Sequence, residues 1–343
     1  MEQIEFEDSV PVLDDLGKPT NFGWSRNPVF KYDESLIWTP RRGITESERY
    51  FIFNSTHLFV FEVYDCGLLG YIRAIALSLL DKKIAFKTDK IRFPMGTLKL
   101  MHHESEKKSL HIKRKETAMD FIIMDSENKI IKVDVPDIRH NVRLRGEVVL
   151  SSPAGAMSIT TNSPWRNQRN CFQLLSCSPW LQTEGVMQFE NKSFLFAAKN
   201  SYGIYESSII ARPTQDVHFW AAGSGLCEDK HVSFNVGYGL SDSSRGSENA
   251  IFVQGKLHKL DIVTFKIPPM NWMQAWTFTA NDGRLEMNFK PVQLFTNKLY
   301  MFVFSLRVVQ VFGFFSGKFI LDDGSELKFK NITGIAERRK TTG

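Results

Sequence analysis

The chain has 343 residues, of which 43% are hydrophobic and 24% charged, and its 43 Lys/Arg against 38 Asp/Glu give a formal net charge of +5. That balance excludes a wholly disordered chain, and the length suggests about two domains, each able to bury a core. The four cysteines, Cys66, Cys171, Cys177 and Cys227, are too few and too irregularly spaced for a disulfide scaffold, and no Cys-x-x-Cys or nearby His pair completes a zinc set. They read as buried reduced thiols.

The opening stretch, "MEQIEFEDSVPVLDD", is acidic and lacks the basic and apolar regions of a secretory signal. A cytoplasmic protein is expected, with the sequons at Asn54, Asn191 and Asn331 unglycosylated. "HLFVFEVYD" alternates as a strand; "YIRAIALSLLDKK" after it is the best helical candidate, or else continues a meander. Residues 81–116 hold eleven Lys/Arg against five Asp/Glu, which accounts for the positive excess. The segment reads either as a weak contact with an anionic membrane surface or as a solvated sheet edge whose charges prevent aggregation.

"KIIKVDVPD" and "NVRLRGEVVLS" continue the period-2 pattern up to "LSSPAGAMSITTNSPW", where Ser, Thr, Pro and Gly mark a domain boundary. Beyond it "VHFWAAGSG", "HVSFNVGYG", "DIVTFKI", "AWTFTA", "RLEMNF" and "GKFIL" read as strands. Asp282-Gly283 and Asp323-Gly324 spell out two hairpin turns, Asp282 serving the turn alone. The apolar run Leu299–Gly317 is interrupted by Arg307 and Gln310 and rich in β-branched and aromatic residues, so it reads as buried strands and not as a membrane span. The expected fold class is all-β, two antiparallel barrel domains with few short helices: 1–158, 159–338, and a flexible tail at 339–343.

One strand carries a particular pattern. Val232, Phe234, Val236, Tyr238 and Leu240 share one parity, and His231, Ser233, Asn235, Gly237 and Gly239 the other. In a closed barrel a small polar face would leave room in the lumen for a bound molecule.

The stretches "NFGWSRNPVF", "HFWAAGSG", "FNVGYGLSDSSRGSENAIFVQGKLHKL", "WTFTANDGRLEMNF", "QVFGFFSG" and "GIAE" together resemble the family called domain of unknown function 2804, over about Val10 to Arg338. The resemblance implies two calycin-like, lipocalin-like barrel domains, similar in architecture to carotenoid hydratases, tocopherol cyclases and some pericyclic-reaction enzymes. It supplies no established activity. Where the family carries Asp-Trp-Gly-Arg-Gly after the strand "NKSFLFAAKNSYGIY", this chain has "YESSIIARP", with Glu206 at the acid and Arg212 as a loose substitute for the arginine.

Glu206, next to Tyr205, is the candidate general acid if burial raises its pKa, and otherwise a turn acid. His218 and Trp220 share a strand face with Ser224 further along: a proton-transfer histidine beside an aromatic wall, or a satisfied sheet histidine. Asn235, Tyr238, Asp242 and Asn249 bracket the glycine-rich turn, where Asp242 and Asn249 orient a ligand or cap the backbone. His258 alternates with leucines and meets Asp261 only if the chain turns. Trp24 and Arg26 read as a structural stack.

Three functions follow. The first is acid-base chemistry without a cofactor, such as hydration, isomerisation or cyclisation of a largely apolar or amphipathic small molecule. The second is non-catalytic binding of a lipid or hydrophobic metabolite. The third is carbohydrate cleavage, prompted by Trp220, Trp272 and Trp276 beside Glu206 and Asp242. Metal sites and nucleic-acid binding are not expected.

Overall fold

The computed structural model describes residues 3–37, 39–40, 43–67, 69–92, 98, 100, 108–114, 116–137, 141–165, 168–211, 215–239, 241–301 and 304–342. Among them run β1 (Val10–Pro11), β2 (Gly23–Ser25), β3 (Phe30–Lys31), β4 (Ile44–Phe53), β5 (His57–Asp65), β6 (Gly70–Ser78), β7 (Lys83–Arg92) and β8 (Lys108–Arg114). Then follow β9 (Thr117–Ile123), β10 (Asn128–Asp137), β11 (Val142–Ser151), β12 (Ile159–Trp165), β13 (Gln168–Phe189), β14 (Lys192–Phe196), β15 (Tyr202–Ala211) and β16 (Gln215–Cys227). The last are β17 (Lys230–Gly239), β18 (Ala250–Val253), β19 (Lys256–Lys259), β20 (Val263–Lys266), β21 (Trp276–Ala280), β22 (Leu285–Met301), β23 (Phe304–Ile320) and β24 (Glu326–Thr342).

The helical content of the described residues is one 3-10 turn, Glu34–Leu36, capped by the Asp33 carboxylate. Of the two readings of the stretch after Gly70, the meander holds: Gly70–Ser78 is β6, paired along its length with β5 and β7. Both of its parities are buried, so its unbroken apolar run fits a covered strand as well as a helix. Residues 339–342, expected in a tail, end β24, where Arg339 pairs with His218 and Val308.

By density of contacts the chain forms two units, 1–44 with 157–179 and 209–343, and 45–156 with 180–208. This partition is interleaved in sequence and differs from a single cut at 158/159. One sheet follows the order β7-β6-β5-β4-β15-β13-β11-β10-β9-β8, with β14, β12 and β2 off that path, and a nine-stranded sheet follows β19-β18-β17-β16-β24-β23-β22-β21-β20. The neighbours along both paths are antiparallel hairpin partners wherever they are consecutive in sequence. The two expected turns are present: Gly283 (φ 72°) and Gly324 (φ 82°) take the left-handed backbone that glycine tolerates, and the carboxylates of Asp282 and Asp323 accept from the backbone N–H of Arg284 and Ser325.

Each unit has its own apolar core. In the unit of residues 45–156 and 180–208, Ile52, Phe59, Phe61, Phe121 and Phe189 belong to one cluster. In the other, Phe234, Trp276, Phe278, Phe289, Phe315 and Phe319 fill the space within the nine-stranded sheet, with Phe289 and Phe315 stacked at 4.3 Å. This corrects the expected lumen: Val232, Phe234 and Val236 face that core, and the small polar parity of β17 faces the opposite side of the sheet. Apolar side chains win the interior because each one buried is worth about 1.5–3 kcal/mol.

Candidate functional site

In the unit of residues 45–156 and 180–208, one sheet face carries charge in alternating sign from strand to strand. Arg49 of β4 stands opposite Glu62 of β5, Glu62 opposite Arg73 of β6, and Arg73 opposite Asp89 of β7. Glu206 of β15 extends the row, its Oε2 accepting from Arg49 Nε at 2.5 Å. Arg73 donates to Glu62 Oε2 at 2.6 Å and to Asp89 Oδ1 at 2.7 Å. Burial alone would depress the Arg73 pKa, but Glu62, Tyr71 and Asp89 outweigh it and push the pKa up, so the guanidinium stays charged. Next to the row, the hydroxyls of Ser47 and Ser208 meet at 2.7 Å.

Glu206 is thus buried, as expected of a functional acid, yet its partner is a guanidinium. On the opposite, core-facing parity, Tyr50 donates to Glu48 Oε2 at 3.1 Å and its ring lies 4.8 Å from that of Tyr205. Lys129, whose pKa burial lowers, places its ammonium 5.1 Å from the Tyr205 ring.

In the other unit, the polar face of β16 and β17 assembles a hydrogen-bonded cluster. His218 and Trp220 lie on one face of β16 as the parity predicts, and Trp220 Nε1 donates to Asn235 Oδ1 at 2.7 Å. Asn235 Nδ2 donates to the carboxylate of Glu248 at 3.1 Å and to its backbone carbonyl at 2.8 Å. Glu248 Oε1 lies 2.6 Å from His218 Nε2. All four side chains are buried, and His218 Nδ1 has no hydrogen-bond partner among the described residues. Glu337 and Arg339 of β24 share the face, directly across from Trp220 and His218.

The glycines of β17 now have a reason. A Cβ on Gly237 would sit 2.3 Å from Glu248 Oε1, and one on Gly239 would sit 3.3 Å from His218 Cδ2. The empty parity positions hold the carboxylate and the imidazole.

Other candidates fall elsewhere. Ser224 shares the His218 face but bonds His231 Nε2 at 2.8 Å. Tyr238 is on the opposite parity, stacked on Phe219 at 4.8 Å. Asp242 accepts from Ser244 N at 3.1 Å, and Asn249 ties Gly237 N to the Asp261 carbonyl, so both cap backbone. His258 Nδ1 meets Asp322 at 3.1 Å, not Asp261. Trp276 is core, donating to the Trp272 carbonyl, which removes it as a sugar platform. Arg26 lies over Trp24 at 5.2 Å, and Arg212 lies outside the described residues. Glu248, Arg49, Glu62 and Arg73 were not singled out in the sequence. Glu248 stands next to Asn249, and the bare glycine at Gly237 was its one signal; the charge row becomes visible only once strand register is known.

Curled antiparallel half-barrel sheets with these cores define a two-unit calycin-like protein. CghA shares the fold at a TM-score of 0.56 and 11% identity, covering 96% of this chain and 96% of its own. CghA with Sch210972 gives 0.53 and 10% over 88% and 89%, and kievitone hydratase from Nectria haematococca gives 0.50 and 11% over 86% and 88%. The chain itself belongs to the family described as domain of unknown function DUF2804, whose model matches residues 3–342. No curated sequence matches it. Among the described residues, no helix is long and apolar enough to cross a membrane.

Proposed function

We propose that the protein is an enzyme that moves protons on a small, largely apolar molecule, by hydration, isomerisation or cyclisation, with His218 as the proton carrier. The observation behind this reading is the buried His218–Glu248 pair, in which Nε2 is held at 2.6 Å while Nδ1 has no hydrogen-bond partner among the described residues. With Glu248 as the acceptor, Nε2 carries the hydrogen and Nδ1 offers its lone pair, the tautomer that general-base work needs. Asn235 fixes the Glu248 carboxylate, and Trp220 fixes Asn235.

For hydration of an activated alkene, Nδ1 takes a proton from water as its oxygen bonds to carbon. The alkene electron pair moves to the neighbouring carbon or its carbonyl oxygen, and the imidazolium returns the proton there. Hydration is tried first because the fold is shared with a protein named as a hydratase. Glu206 serves in this reading as the partner that positions Arg49.

The test incubates the protein with a panel of α,β-unsaturated ketones in D2O and reads deuterium incorporation or a gain of water by mass spectrometry. Wild type incorporates the label, and His218→Gln loses about 100-fold or more of the rate, the scale of a general acid-base contribution. Equal rates in the variant remove His218 from the mechanism. Mass spectrometry of molecules that copurify with the protein separates the binder: an enriched lipid released unchanged, with no labelling of any substrate, favours non-catalytic binding.

A further inference from the structure

Away from both polar clusters, the unit of residues 45–156 and 180–208 holds a cavity of about 220 Å3 lined by aromatic and charged side chains. Phe59, Phe189 and Phe194 supply its apolar wall, Phe59 and Phe194 meeting edge to face at 5.6 Å. His57 stands over Phe194 with ring centroids 4.4 Å apart. Its Nδ1 is engaged by Thr56 Oγ1 at 2.8 Å, which leaves Nε2 as the ring nitrogen without a partner among the described residues.

The rim carries two carboxylates, Asp81 and Glu190, and two lysines, Lys83 and Lys192. Asp81 is tied by the Ser78 hydroxyl at 2.9 Å. Lys83 and Lys192 are exposed and form no ion pair among the described residues. An apolar wall beside two uncommitted ammonium groups and an imidazole nitrogen matches a planar ring with an anionic substituent. The size agrees, since an apolar cavity of about 150 Å3 takes up benzene and the present one leaves room for one or two polar substituents.

We propose that this cavity is a binding site for a single-ring aromatic carboxylate, with the ring against Phe59 and Phe194 and the carboxylate toward Lys83, Lys192 and His57 Nε2. It is separate from the His218 cluster and does not depend on the activity proposed there. The hydrophobic wall provides the attraction and the lysines select for charge, since among the described residues neither is ion-paired with the rim carboxylates Asp81 and Glu190.

Calorimetric titration of the full chain with 4-fluorobenzoate tests the site, beside neutral 4-fluorobenzyl alcohol and non-aromatic cyclohexanecarboxylate. We expect 4-fluorobenzoate to bind tightest, the Lys83→Glu/Lys192→Glu double variant to weaken it about tenfold or more, and His218→Gln to leave it unchanged. Phe194→Leu, which keeps the wall apolar but removes the ring, should bring benzoate down to the level of cyclohexanecarboxylate. No binding at millimolar concentration, equal binding of the alcohol, or full affinity in the lysine double variant would overturn the proposal. Weakening by His218→Gln would move the bound benzoate to the other unit and overturn it equally.

Discussion

A buried histidine reports on its surroundings through the proton it refuses. His231 accepts or donates one hydrogen bond with Ser224, and burial pushes its pKa down to about 3. The unfolded chain takes up that proton near the ordinary value of 6.5 and the folded one does not, so stability that is complete above pH 6.5 drains away as pH falls toward 3. Between pH 7.5 and 5 the loss should amount to about 2 kcal/mol, and His231→Asn should lose that much less over the same interval in urea titrations. Identical pH slopes for the two proteins would show that His231 is not the group responsible. The sequence disclosed more at this scale than its roles suggest. His218, Trp220 and Asn235 were readable because parity alone put them on the polar side of β16 and β17, whereas Glu248 arrives from a loop that obeys no period. Its carboxylate was visible only as the volume missing at Gly237.

At the level of strands, the row Glu206–Arg49–Glu62–Arg73–Asp89 ties five of them through their side chains. Such a row is costly to break singly and much less costly to replace as a whole, since removal of one member strands its neighbour's charge in a buried place. Arg49→Met should destabilise the fold by about 3–5 kcal/mol, and Glu206→Leu on top of it should restore part of that. Additive losses in denaturant titrations would mean that the two side chains act independently. No sequence rule could align these residues, because a one-residue slip of any strand moves its charges to the other face. Hairpin turns were legible for the opposite reason: Asp282-Gly283 and Asp323-Gly324 hold their conformation locally. The strand β6 was ambiguous because burial on both faces erases alternation. The basic stretch 81–116 contributes β7 and β8, which stand at the two ends of that sheet's strand order.

For the molecule as a whole, the all-β class and the two-unit plan were readable from unbroken period-2 patterning, while the division of the chain between units was not. Composition marks linkers, but the unit of residues 45–156 also needs 180–208, which carry Glu206 and the later part of β13. A fragment of residues 1–158 therefore lacks strands that its sheet requires and should fail to fold on its own. Cooperative thermal unfolding of that fragment, followed by circular dichroism, would contradict the interleaved division. The other unit draws residues together over still longer spans: Gln3 Nε2 donates to the carbonyl of Leu260 and its Oε1 accepts from Ser247, one residue from Glu248. A ribosome adding about 5–20 residues per second brings Leu260 out roughly 13–50 s after Gln3. For that interval Gln3 waits without Leu260 and Ser247 while Ile4, Glu5 and Phe6 already have Trp24 and Arg26 at hand, so the neighbourhood of Glu248 gains its Gln3 contact only once the chain has passed Leu260.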